Sequence, residues 1–286
     1  MWHVVVLEAR QTMLKLTPQN YYSPEANWDY FSVSQVKSFM ECPARTMAEL
    51  NGEYERPVTS ALLIGSYVDA YFEDTLDVFR EEHPKIFRRD GMLKAEYAHA
   101  DYMIQRAMAD KIFMEHMDGD KQAIFTGEID GYPFKVKLDV HHPDRIVDLK
   151  TTKNFKPVYM PGQGRMNFIE AYHYTLQGGV YQAIEAQNRP SYKKILGNLP
   201  LRKPFYIAAI TKENTPDIAV VQVGQEYMDA EMKLLRQNLP YYDAIKQGMI
   251  EPPRCEHCEY CKLTRKLTGP SPLDEFDMTF FEGEEI

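Results

Sequence analysis

The sequence predicts an α/β fold: a mixed central sheet, made of an antiparallel meander plus further strands, flanked by helices. Three observations carry this expectation. Apolar residues recur at helical spacing through the N-terminal third; the pattern switches to two-residue alternation on both sides of Asp130-Gly131; and beyond residue 165 a helix, two strands and a long helix occur in that order. The 286 residues, 44% hydrophobic and 12% aromatic, are enough to bury a core and suit one compact domain with loosely held ends. No solenoid repeat or low-complexity linker interrupts the chain. No window approaches the roughly 18 consecutive apolar residues of a membrane span, and a cytoplasmic location with no membrane partner is expected.

At the N-terminus, residues 1–12 stand apart from the rest of the chain, as an N-terminal strand or as the product of a start assigned too far upstream, and an extension over 1–30 is expected before a domain over 31–268. Ser34 is placed to cap a helix whose apolar positions are Val36, Phe39, Met40 and Met47, with a break expected at Cys42-Pro43 because proline cannot donate to the helix ladder. Further helices are expected over about residues 60–79 and 95–117. Strands over 123–129 and 132–140 flank Asp130-Gly131, a pair that tolerates the left-handed backbone of a tight hairpin. A turn at His141-His142-Pro143-Asp144 leads into a third strand over 145–152, completing the meander. After a loop holding Pro157, Pro161, Gly162 and Gly164, a helix over 168–185, strands over 205–211 and 218–223, and a helix over 225–248 complete the pattern.

Composition alone argues against a nucleic-acid partner, since the formal net charge is −9. Its distribution reverses that inference. Asp274, Glu275, Asp277, Glu282, Glu284 and Glu285 lie in an acidic tail over 269–286 whose last sixteen residues hold no Lys or Arg. Lys150, Lys153, Lys156 and Arg165 form one acid-free basic stretch, and Arg189, Lys193, Lys194, Arg202, Lys203 and Lys212 another. Such runs suit either a phosphate backbone or plain solvated loops.

The candidate chemistry lies in the meander. Asp139 ends one strand, and Asp148 and Lys150 lie two positions apart on the next, so both point to one face. Two carboxylates converging beside a lysine are what a divalent-metal phosphodiesterase site needs: oxygen ligands for Mg²⁺, and a cation for developing phosphate charge. Ordinary exposed hairpin charges are the alternative. Gly65, Asp69 and Glu73 share a helix face, where Gly65 permits close packing and Asp69 offers a third carboxylate; His173, Gln177 and Tyr181 share a face of a later helix.

In that order, Ser32-Val33-Ser34, Phe39, Cys42-Pro43, Gly65-x3-Asp69, Asp139, Asp148-x-Lys150 and Gln177-x3-Tyr181 resemble the PD-(D/E)XK nuclease superfamily, and within it the RecB-like branch and phage or prophage exonucleases of the RecE (exodeoxyribonuclease VIII) type. The resemblance spans about residues 32–261. It implies a restriction-endonuclease-like fold, Asp139 and Asp148 as central metal ligands, Lys150 as the catalytic lysine, and Gln177 with Tyr181 as the supporting helix motif. Many relatives carry His where this chain has Asp69, which leaves the choice between Mg²⁺ and Mn²⁺ open. The implied activity is metal-dependent exonucleolytic resection of DNA ends in homologous recombination, with double-stranded DNA ends and a single-strand annealing protein as partners and a homo-oligomeric assembly. An end-trimming or single-strand nuclease like those of CRISPR adaptation, or a non-catalytic cysteine-metal DNA-binding protein, are the alternatives.

Cys255-x2-Cys258-x2-Cys261 puts three thiols in one loop, with Cys42 as a remote fourth. Three local cysteines plus one remote one suit a [4Fe-4S] cluster, the expected cofactor here, and the resemblance to iron-sulfur nucleases of the AddB kind agrees. Zinc, with Cys42 or His257 completing four ligands, and free thiols are the alternatives.

Overall fold

The computed structural model describes residues 13–160, 162–189, 202–267 and 269–270. Residues 1–12, the 190–201 stretch that includes Lys193 and Lys194, and the acidic tail from Ser271 onward lie outside the described residues.

Eleven α-helices, one short 3₁₀ helix (Pro84–Ile86) and seven strands are described. Helices α1 (Pro24–Asp29), α2 (Val33–Glu41), α3 (Pro43–Leu50), α4 (Ser60–Phe72), α5 (Leu76–Glu82), α6 (His99–Met108) and α7 (Lys111–Met117) precede strands β1 (Asp120–Ile129), β2 (Tyr132–His141) and β3 (Ile146–Thr152). A small hairpin, β4 (Val158–Met160) and β5 (Gly164–Met166), leads to α8 (Phe168–Ala171) and α9 (Tyr174–Gln187). Strands β6 (Phe205–Thr211) and β7 (Ile218–Gln222), then α10 (Gln225–Lys246) and α11 (Glu259–Leu263), complete the order. None of these helices is long and apolar enough to cross a membrane.

The main sheet runs β1-β2-β3-β6-β7, antiparallel throughout except for the parallel β3/β6 pair. The predicted mixed sheet is therefore present, its meander joined to β6 by the α9 crossover. Asp130 (φ 51°) and Gly131 (φ 83°) make the expected left-handed turn between Ile129 and Tyr132. The two central strands β3 and β6 are buried on both faces, which is why β6 reads as an almost unbroken apolar run. One face carries α9 and α10 over Phe134, Val136, Leu138, Phe205 and Ile207; the other carries α4, α6 and α7 over Val147, Leu149, Ala208 and Ile210.

Four of the predicted helices divide at a local capping or turning residue, whereas the one expected over 225–248 runs unbroken as α10. The cap of α2 is Ser32 rather than Ser34: the Ser32 hydroxyl accepts from Gln35 N–H at 3.3 Å. Cys42 ends α2 and caps α3, so the expected break falls at Pro43. Helix 60–79 stops at Phe72, with Asp74 in the left-handed region, before α5 starts. Helix 95–117 is interrupted at Asp110, whose carboxylate caps α7 by accepting from Phe113 N–H at 2.9 Å. Helix 168–185 splits at left-handed His173. Gly178 and Gly179 on α9 let β6 and α10 approach: a Cβ at Gly178 would lie 2.3 Å from the Phe205 ring, and one at Gly179 2.6 Å from Met232.

Candidate active site

The β2/β3 ladder is short. Pairing is confined to Val140 with Val147 and His141 with Ile146, after which the two strands diverge. Divergence frees groups that a longer ladder would consume, and Asp139 uses one of them: its Oδ2 accepts from Leu149 N–H at 2.9 Å. Beside it, Asp148 is wholly buried and Lys150 closes an ion pair with it. Both side chains lie on the sheet face covered by α9, from which Gln177 Nε2 donates to Asp148 Oδ1 at 2.7 Å and to the Tyr181 hydroxyl at 2.9 Å. The i,i+4 spacing of Gln177 and Tyr181 thus orients a single amide onto one buried carboxylate.

Asp69 and Glu73 approach from α4. The approach depends on Gly65, where a Cβ would stand 2.8 Å from Thr151 Oγ1 on β3. Asp69 Oδ1 is buried without a hydrogen-bond partner. Burial, with the Asp139 charge adding to it, holds Asp69 well above the usual carboxylate range and raises Glu73 in the same way. Burial pushes Asp148 up to about 7, Asp139 adding to the rise and Lys150 opposing it. Burial works against the charge on Lys150 too, but Asp148 and Asp139 overcome it and keep the ammonium protonated above its ordinary range.

The structure thus brings Asp69, Asp139, Asp148, Lys150, Gln177 and Tyr181 into one site and adds Glu73 at its edge. His173 does not join them. It precedes α9, and its Nδ1 meets Glu231 at 3.4 Å. Two residues outside the sequence motifs do join: Lys37, whose Nζ donates to Gln177 Oε1 at 3.4 Å, and Tyr174, whose ring lies beneath Lys37 (4.7 Å) and Lys150 (5.3 Å). Burial, then repulsion from Lys150, pulls Lys37 down to about 7. The available signal was a lysine at the margin of the apolar face of α2, one turn after Val33.

Oxygen donors crowded in a desolvated site, one of them orphaned, fit a divalent cation that prefers oxygen ligands and offsets their mutual repulsion. The tightest donor set lies elsewhere. The sulfurs of Cys42, Cys255, Cys258 and Cys261 all lie within 4.8 Å of one another, and the carboxylates around Lys150 form no set as compact among the described residues. Cys42 and Cys261 are 3.6 Å apart, and Cys255 and Cys261 3.9 Å. Backbone N–H groups of Arg45, Cys258 and Cys261 point at the sulfurs of Cys42, Cys255 and Cys258, stabilising negative sulfur. His257 Nδ1 engages the Cys255 carbonyl, and the compact set is completed by Cys42. Ala44 N–H donates to the Pro253 carbonyl at 3.1 Å, so the cysteine site joins the two ends of the domain.

Among the described residues of the second basic stretch, Arg189 and Lys203 are committed to a buried acid and Arg202 to a surface one. Glu185, buried on α9, accepts from Arg189 and pairs with His141 (3.1 Å) and Lys203 (2.9 Å), and Arg202 pairs with Asp229. Lys153, Lys156 and Arg165 are exposed around the β4/β5 hairpin.

The family described as a PDDEXK-like domain of unknown function (DUF3799) matches residues 32–264. A crystal structure from Eubacterium rectale, of a protein described as a "putative exonuclease", superposes with a TM-score of 0.85 and 38% sequence identity over 93% of this chain and 99% of that one. No curated protein matches the chain. A family match over most of the chain, on a sheet that holds an Asp, Asp-x-Lys and Gln-x3-Tyr constellation in one site, places this protein in the PDDEXK-like DUF3799 family, on the nuclease fold of the PD-(D/E)XK superfamily.

Proposed function

We propose that the protein is a divalent-cation-dependent DNA exonuclease that resects duplex ends in phage or prophage homologous recombination, in the manner of RecE-type enzymes, and leaves a strand for a single-strand annealing protein. The observation that carries the reading is the buried Asp148–Lys150 pair, oriented by Gln177 and set beside Asp139 and Asp69. Asp69, Asp139 and Asp148 are the residues that would hold Mg²⁺ or Mn²⁺. A cation bound there supplies Lewis-acid polarisation of the phosphate and acidifies an attacking water. Gln177, braced by Tyr181, keeps the Asp148 carboxylate in one orientation. Lys150 stays protonated and meets negative charge as it develops on the phosphate. Lys153, Lys156 and Arg165 are candidate backbone contacts, which would make recognition depend on phosphate rather than base sequence.

The cysteine site has a structural role in this reading. Four thiolates around a single tetrahedral ion, with metal–sulfur bonds of about 2.3 Å, stand about 3.8 Å apart. The separations of 3.6 and 3.9 Å favour that arrangement, and so zinc, over the [4Fe-4S] cluster expected from spacing, whose iron-sulfide core requires the thiolates to spread. Domain limits at 31–268, a cytoplasmic location and a homo-oligomer belong to the same proposal. Its test is digestion of end-labelled duplex by wild type and Asp148→Ala. Wild type releases product only with Mg²⁺ or Mn²⁺; full activity in the variant overturns the site assignment, and colour with metal content on anaerobic purification decides the cysteine ligand.

A further inference from the structure

One exposed aromatic residue beside the site is held with unusual care. Tyr22 is 68% exposed, yet the backbone around it is pinned from beneath. Lys135, 1% exposed, reaches from β2 to donate to the Tyr21 carbonyl (2.5 Å) and to Asn27 Oδ1 (2.7 Å), while Asn27 Nδ2 donates to the Tyr22 carbonyl at 3.3 Å. Burying an ammonium against neutral acceptors alone is costly, and here it immobilises the short stretch that presents Tyr22. The Tyr21 ring meets the Tyr22 ring edge-on at 4.9 Å, and the Lys137 ammonium lies 4.7 Å over the Tyr22 ring. Lys137 and Asp139 are two positions apart on β2, so they share a face and stand about 7 Å apart along the strand.

A rigid exposed ring with a cation against it matches a base and the phosphate attached to it. Bases inside a duplex have no free face to offer, so the ligand with this chemistry is an unpaired nucleotide. We propose that Tyr22 and Lys137 form a binding site for one unpaired nucleotide of a single strand, the base stacking on Tyr22 and the phosphate meeting Lys137, with the next phosphodiester delivered to Asp139. The proposal rests on the nuclease reading for its last step and stands apart from it for the binding itself.

The test is fluorescence polarisation of a fluorescein-labelled oligothymidylate with the full chain, in buffer without added divalent cation, so that binding is read without cleavage. Tyr22→Ala weakens binding about 5- to 150-fold, the equivalent of about 1–3 kcal/mol of base stacking at 1.4 kcal/mol per decade. Tyr22→Phe and Tyr22→Trp retain wild-type affinity, and Lys137→Gln lowers the slope of log affinity against log salt by about 0.7. Wild-type affinity in Tyr22→Ala, or an equal loss in Tyr22→Phe, overturns the proposal. The nuclease reading fails by a different result, the absence of divalent-cation-dependent product from wild type, whatever the oligonucleotide affinities are.

Discussion

Replacing Gln177 by Leu removes one amide while keeping a side chain of similar bulk beside Tyr181 and Asp148. Burial beside Asp139 already pushes Asp148 up to about 7 against the opposing charge of Lys150, and the amide is its neutral donor at 2.7 Å. A hydrogen bond to an ionised group is worth about 1.5–3 kcal/mol, so losing it raises the Asp148 pKa by about 1–2 units. The proton sets the sign. Cation binding needs the carboxylate ionised, so the half-saturating Mg²⁺ concentration of wild type falls as pH rises through about 7 and then levels off. In Gln177→Leu the same inflection moves to about pH 8–9, and at pH 7 the ionised fraction drops from one half to about 1–10%. The Mg²⁺ requirement at pH 7 therefore rises about 5- to 50-fold and returns toward wild type at pH 9. Initial rates of end-labelled duplex digestion, titrated with Mg²⁺ at both pH values, measure it, and thermal melts confirm an intact fold. An unchanged requirement at pH 7 refutes the reasoning, as does a deficit that alkaline pH leaves in place.

Three further outcomes are expected away from that contact. Glu185 is held down to about 2 despite its burial by hydrogen bonds from His141, Arg189 and Lys203; its folded pKa lies below the ordinary value, so the stability it contributes is present above about 4.5 and lost as pH falls toward 2. Glu185→Gln should cost about 3–5 kcal/mol in urea unfolding at pH 7, with the deficit shrinking on acidification. Gly178→Ala, despite adding a better helix former, should destabilise by about 1–3 kcal/mol because its Cβ meets the buried Phe205 ring; a variant as stable as wild type would contradict the α9/β6 packing. Cys258→Ser should lower bound cysteine-site metal and the melting temperature together, since Cys42 and Cys261 join the start of α3 to α11; equal metal content and stability would remove the cysteines from the site.

Much of the candidate site was legible because its spacing is set by local geometry. Asp148 and Lys150 share a face by strand alternation, and Gln177 and Tyr181 by helical periodicity, so their sequence offsets survive folding. Lys37 and Tyr174 were not legible, since the contact between α2 and α9 joins residues about 140 positions apart and neither offset marks it. The partners of Arg189 and Lys203 in the second basic stretch were not legible for the same reason. A run of cations carries no sign of whether an acid such as Glu185 waits behind it.

Sequence alone determined the order of elements, the Asp130-Gly131 hairpin, the mixed sheet and the family resemblance, because these rest on periodicity, turn chemistry and short motifs that each act within a few residues. Tertiary structure alone decided where β2 and β3 part, which carboxylates lose their water, and how Cys42 reaches Cys261 across the domain. Those outcomes depend on desolvation and on distances between remote segments. Both are properties of packed neighbours, and the linear order of residues does not contain them.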